Sequence, residues 1–171
     1  MKLSRTAIAG MAAIAALTSG GIAYAASSTP TASKTDTIAT TTTAVHLSAI
    51  GGVLSTVATL SLPPGAYVLR GSGDLVNFGP SDYTRCQIFA AGTHIAGVST
   101  LVGNPAASGA WGAAGILSPF SLVGGVVNPG PGSIVASLRC EHDHTTGATP
   151  YIDPDATLWA HRTRGLKLVK E

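Results

Sequence analysis

Charge is scarce in this chain. Ten Lys and Arg and eight Asp and Glu make up 11% of 171 residues. Disordered chains combine few apolar residues with high net charge, so 45% apolar residues and 21 glycines exclude that class. A nucleic-acid binder needs a clustered positive excess. Without Lys2 and Arg5, which belong to the leader below, eight basic groups face eight acidic ones, and nucleic acid is excluded as a partner. The basic residues that do cluster, Arg162, Arg164, Lys167 and Lys170, suit a solvated last strand and tail. Aromatics are only 5% of the chain, so the core must be built from Val, Leu, Ile and Ala. No segment after the leader could cross a membrane, and no amphipathic helix stands out.

The leader reads as an export signal. Lys2 and Arg5 make a positive start, Ala7 to Ala16 is weakly apolar, and Ala23-Tyr24-Ala25 is a small-x-small cleavage pattern. Thr18 to Gly21 interrupts the run, and Ala and Gly are too weakly apolar for a span. Residues 1–25 are therefore expected to be a signal peptide, 26–43 a flexible Thr/Ser-rich leader, and 44–171 the domain. The β-branched content from Ile38 could start an edge strand ending at Val45 to Leu47.

What is present is alternation. In Gly132–Cys140 the residues Ile134, Ala136, Leu138 and Cys140 point one way, and Ser133, Ser137 and Arg139 the other, with Val135 the apolar exception. Cys86 sits in a second β-like run, Thr84 to Ala90. In an exported chain an isolated pair of cysteines forms a disulfide. Cys86 and Cys140 would close a loop of about 55 residues, a stabilisation of roughly 4 kcal/mol in the chain-entropy estimate. The expectation is of two sheets, clamped by that link, over a modest aliphatic core.

Turns punctuate the rest. Pro63-Pro64-Gly65 precedes a long strand from Ala66 to Asn77, whose glycines mark a bend or a close backbone approach. Gly79 to Asp82 is a loop, and Ala91-Gly92-Thr93 links a short hairpin. Trp111 to Val127 reads as one strand and a bend, broken by Pro119 and Gly124-Gly125. Residues 53–62 show two conflicting patterns, with Val53, Thr56 and Thr59 against Leu54, Leu60 and Leu62. Glu141 to Asp155 reads as a polar loop. In the closing strand from Ala156, Leu158 and Ala160 face one side and Trp159 and His161 the other. About eight strands without helices predict an all-β fold, a sandwich or a barrel.

Leu62–Arg70 (LPPGAYVLR), the Cys-bearing hairpin, Gly132–Cys140 (GSIVASLRC) and Ala156–His161 (ATLWAH) together resemble small secreted bacterial β-sandwich proteins of unknown function. More distantly they are similar to the jelly rolls of the complement globular-head and tumour-necrosis-factor class. The resemblance spans most of residues 53–165, implies an all-β fold with a single antiparallel β-sandwich of jelly-roll type, and carries no catalytic residues across.

Chemistry-bearing residues gather in Glu141-His142-Asp143-His144, with Asp153 and Asp155 following. On a strand His142 and His144 share a face about 6.5 to 7 Å apart, a chelating distance for zinc, and Asp143, Asp153 and Asp155 could serve calcium. No standard metal spacing is matched, and a hydrated polar loop explains the cluster without any cofactor. Gly71-Ser72-Gly73 lacks the strand-to-helix turn of a nucleophile elbow. Trp111, Trp159 and Tyr151 are candidates for a ligand-binding face.

The expected function is a secreted, non-enzymatic binding or structural module of the extracellular space or cell envelope. Its ligand is unknown, and self-association into a homo-oligomer is compatible with the fold. The competing expectation is a secreted metal-dependent hydrolase, or a metal-binding protein, using residues 141–155.

Overall fold

The computed structural model describes residues 36–104, 116–144, 148–167 and 169. Residues 1–25, expected to be a signal peptide, the first part of the expected leader and Trp111 lie outside them. Ten strands are formed: β1 (Thr37–Thr40), β2 (Val45–His46), β3 (Ser55–Leu62), β4 (Gly65–Val76), β5 (Asp82–Ala90), β6 (Thr93–Val102), β7 (Leu117–Asn128), β8 (Ile134–His142), β9 (Tyr151–Ile152) and β10 (Thr157–Thr163). Among the described residues no helix is long and apolar enough to cross a membrane.

The strands make two antiparallel sheets. In the four-stranded sheet the order is β3-β8-β5-β6. In the six-stranded sheet β4 is central, with β7 along one edge and β10 and β9 sharing the other; β1 extends β10 and β2 extends β9. β9 and β10 are thus one strand interrupted at residues 153–156, as are β1 and β2 at 41–44. Counted that way the described residues form eight strands in two sheets of four, the jelly-roll arrangement that the resemblance implied. Thr41 bridges the two breaks: its N–H bonds Ala156 O at 2.9 Å, while its O and Oγ1 accept from Asp155 N (2.9 Å) and Ala156 N (3.1 Å). Asp155 adopts φ 69°, a left-handed conformation that Asp tolerates better than most residues.

Several expectations need correction. The domain was expected from residue 44, but the edge strand suggested from Ile38 forms at Thr37–Thr40, ahead of that boundary, where Ile38 and its neighbours pair with Trp159 and the rest of β10. The polar loop 141–155 contains β9, too short to be read from two residues. β7 runs unbroken through Pro119 and Gly124-Gly125, since an edge strand tolerates a missing N–H and Gly124 lies against Ile95 of β6. The conflicting patterns in 53–62 are a β-bulge between Thr56 and Ala58, which turns both Val57 and Ala58 inward.

The core is aliphatic. Leu62, Leu69, Leu75, Ile88, Leu138, Ile152 and Leu158 are the large side chains sealed from solvent. Gly71 faces this core from β4, where an added Cβ would lie 2.9 Å from Leu122 and 3.0 Å from Leu138. Glycine there makes room for two leucines, the close approach anticipated for this strand. On β8 the predicted alternation appears with one exception. Val135 is exposed as its register demands, but Ser137 is buried. Arg139 roofs it, donating from Nε to Ser137 Oγ at 2.9 Å while its guanidinium lies 5.2 Å from the centre of the Phe89 ring.

Cys86 and Cys140 are bonded, but not between the sheets. They lie directly opposite each other on β5 and β8, neighbours in one sheet, with Cα atoms 4.1 Å apart. The bond therefore locks the register of two central strands, and the contact between sheets is left to the leucines. With the cysteines 54 positions apart in sequence, Cys86→Ala/Cys140→Ala is expected to lose about 4 kcal/mol of stability. Urea unfolding of the double variant against the oxidised protein measures this; equal midpoints would contradict it.

Candidate functional site

The register set by the disulfide organises one end of the sandwich. Cys86 points inward, so Asp82, four residues back on β5, points inward too; on β8, His142 shares the side of Cys140. Asp82 Oδ2 meets His142 Nδ1 at 2.7 Å and Asp82 Oδ1 meets His144 Nδ1 at 2.8 Å. The backbone N–H groups of Asp143 and His144 also donate to this carboxylate, at 3.2 Å. The second nitrogen of His142, Nε2, reaches Ser48 O at 2.6 Å, in the loop between β2 and β3. Both ring nitrogens of His142 thus face oxygen atoms, a carboxylate on one side and a carbonyl on the other.

Gly51 completes the latch. Its neighbour Gly52 donates to His142 O at 2.7 Å, and a Cβ on Gly51 would sit 2.2 Å from Asp143 O. Burial pushes the Asp82 carboxyl up, but hydrogen bonds from His142, His144 and the His144 amide outweigh it and hold the group below 3.8. Outside the latch Arg85 forks onto Asp143, with Nη2 to Oδ2 at 2.9 Å, and its hydrogen bonds hold that carboxyl below its ordinary value.

This geometry redistributes the residues nominated from sequence. His142 and His144 do converge on a carboxylate, but it is Asp82. Asp143 is occupied by Arg85. Asp153 and Asp155 sit at the β9–β10 break, their amides bonded to Asp74 O and Thr41 O. Among the described residues no three His, Cys, Asp or Glu side chains are placed to hold a metal ion. Ser48 meets His142 with its carbonyl, while its hydroxyl accepts from Ile50 N at 3.1 Å. His142 is 3% exposed and has no ring nitrogen left to take a proton from a nucleophile. The arrangement ties the β2–β3 loop, β5 and the end of β8 together.

Asp82 was missed because it lies 60 residues from His142 and was read as loop. Its signal was parity: Asp82, Thr84, Cys86, Ile88 and Ala90 alternate along one strand. A cleft of about 550 Å³ opens elsewhere, between β6 and β7, lined by Ile95, Val126, Ile134, His94 and Asn128 among others. Asn128 spends its amide on Leu62 O, Gly132 O and Gly130 N.

The nominated aromatics behave differently. Trp159 pairs with Arg70 of β4, and Tyr151 pairs with Val76 of the same strand, six residues on. An even separation places both on one face, opposite to Leu158 and Ile152, which are sealed in the core. Trp159 stacks with His161 at 5.5 Å, and His161 Nδ1 meets Asp36 Oδ1 at 2.6 Å. Tyr151 contacts His46 at 5.3 Å and Phe78 at 6.5 Å between ring centres. The outer face of the six-stranded sheet therefore carries two aromatic stations about 20 Å apart along β4. Tyr67 instead points inward and donates to Pro63 O at 2.9 Å.

No family model and no curated protein matches the chain. Among solved structures it is similar to that of infectious bursal disease virus Gx strain, with 12% identity and a TM-score of 0.42. That match covers 77% of this chain and 34% of the other, so the chain spans about a third of its length. A likeness this low carries no argument about the site; the strand order itself defines the class, an all-β jelly-roll sandwich.

Removing the carboxylate leaves the His142 ring and the Asp143 and His144 amides without their acceptor at a buried site, so Asp82→Ala is expected to cost about 3 kcal/mol. Because the folded carboxyl titrates below its ordinary 3.8, its contribution is complete above that pH and is lost as pH falls through the folded value. Chemical denaturation between pH 5 and pH 2 should therefore show a steeper acid loss in the native protein than in Asp82→Asn. Parallel slopes would contradict the latch.

Proposed function

We propose that the chain is an exported, non-enzymatic binding module of the extracellular space or cell envelope, engaging its ligand through the outer face of the six-stranded sheet. The observation that carries this is the placement of Trp159 and Tyr151, each with further rings beside it, on that one face. Aromatic rings held on a rigid sheet offer apolar contact area at low cost in conformational entropy, as binding surfaces do. Export is supported by the positive start, the apolar run and the Ala23–Ala25 pattern, and an oxidised Cys86–Cys140 pair suits that compartment. The commitment of both His142 nitrogens to acceptors supports a structural role for the one buried acid–base cluster described.

The test is a screen of the mature, oxidised domain against glycans and envelope polymers. Binding is expected, with Trp159→Ala and Tyr151→Ala each weakening it about tenfold, the scale of a contact worth 1.4 kcal/mol. Undiminished binding by both variants, or silence across the screen, would refute the assignment of this face.

A further inference from the structure

We infer that the ligand of this face is a glycan carrying a carboxylate, with its acidic sugar held at Arg70 and neutral sugars continuing toward Tyr151. The inference rests on the binding-face reading above and narrows its ligand.

Arg70 lies at the centre of the face. A straight row crosses four strands there: Ile38 on β1, Trp159 on β10, Arg70 on β4 and Val123 on β7. Ile38 is 60% exposed and Val123 61%, so the guanidinium stands among apolar side chains that are themselves open to a ligand. The other described arginines of the sheets have partners: Arg85 holds Asp143, Arg139 holds Ser137 and lies over Phe89, and Arg162 donates to Pro64 O at 2.6 Å. Arg70 is exposed and has no hydrogen bond or ion pair with any described residue. A guanidinium offers five donors in a planar fork that matches a carboxylate, and apolar neighbours strengthen such a pair by lowering the local dielectric.

The next row along the face is polar and neutral. Ser72 Oγ and Thr157 Oγ1 bond each other at 2.8 Å, and each hydroxyl keeps capacity for an outward bond. Beyond it lie Asp74, on the same face of β4, and the backbone break that carries Asp153 and Asp155. Asp74 is four residues from Arg70, about 13 Å along the strand and beyond the Debye length at physiological salt, so it leaves the Arg70 station cationic. It does disfavour a carboxylate further along. The face thus fits one acidic sugar followed by neutral ones, and a uniform polyanion poorly.

Two other occupants are less suited. A peptide lying flat here would leave its backbone N–H and C=O groups without the partners that only a sheet edge supplies. A second copy would bury Arg70 beside Ile38 and Val123, and an unpaired buried charge costs several kcal/mol. Sugar rings stack an apolar C–H face on an aromatic ring while their hydroxyls stay in water.

Cellobiouronic acid and cellobiose differ by one carboxylate and are the probes. NMR titration at physiological ionic strength, followed at the Trp159 indole N–H and assigned with Trp159→Phe, should give about tenfold tighter binding of the acid. Arg70→Gln should remove that preference and Arg70→Lys restore part of it, with thermal unfolding unchanged. Equal affinities, or a preference that survives Arg70→Gln, would overturn the inference. Failure of both probes while neutral polymers still bind through Trp159 and Tyr151 would overturn it and leave the module reading standing; silence toward all glycans would remove both. A concentration-dependent dimer dispersed by Val123→Asp, read by sedimentation, would give the face to a second copy and also overturn it.

Discussion

The structure turns on one pairing, the register of β5 against β8. Cys86 and Cys140 sit directly opposite across it, and side-chain direction has period two. A slip of β8 by one residue would turn Ala136 and Leu138 out of the core and bring Val135 and Arg139 into it. The covalent bond forbids that slip. It also decides what happens at the strand ends, where the same parity that buries the cysteines aims Asp82 and His142 at one another.

The latch built there compensates for a chain poor in large side chains. With few aromatics the core supplies aliphatic contacts but little that would order the loops over its end. One carboxylate meeting two imidazoles and two amides fastens three separate segments, and the carbonyl of Ser48 takes the remaining nitrogen of the buried ring. The other sheet needs no such device. β4 runs twelve residues through its centre, hydrogen-bonded on both edges, and leaves its outer face free to carry rings and a cation.

Much of the fold was legible because alternation is a local property. Ile134, Ala136, Leu138 and Cys140 announced their face, as did Leu158 and Ala160 against Trp159 and His161. Alternation was misread where something distant intervened. Ser137 is covered by Arg139 lying over Phe89, and the bulge at Thr56 shifts the phase of β3. β9 is two residues long and exists only through its neighbours. The disulfide pairing was legible from the expected export and the count of two, but its place within a sheet depended on strand order. Of the site residues, Trp159 and Tyr151 could be nominated but not placed together, since they sit on separate short strands that meet only against β4. Asp82 could not be joined to His142 from sequence, because nothing local links positions so far apart.

Amide hydrogen exchange on the oxidised protein and on the Cys86→Ala/Cys140→Ala variant tests the register account most directly. If the bond between β5 and β8 sets the latch, exchange in the variant should accelerate most in residues 82–90, 134–144 and 48–52, with β4 and β7 retaining greater protection. Acceleration confined to β4 and β7, or none in the 48–52 loop, would show that the latch stands independently of the sulfur link and would contradict the account.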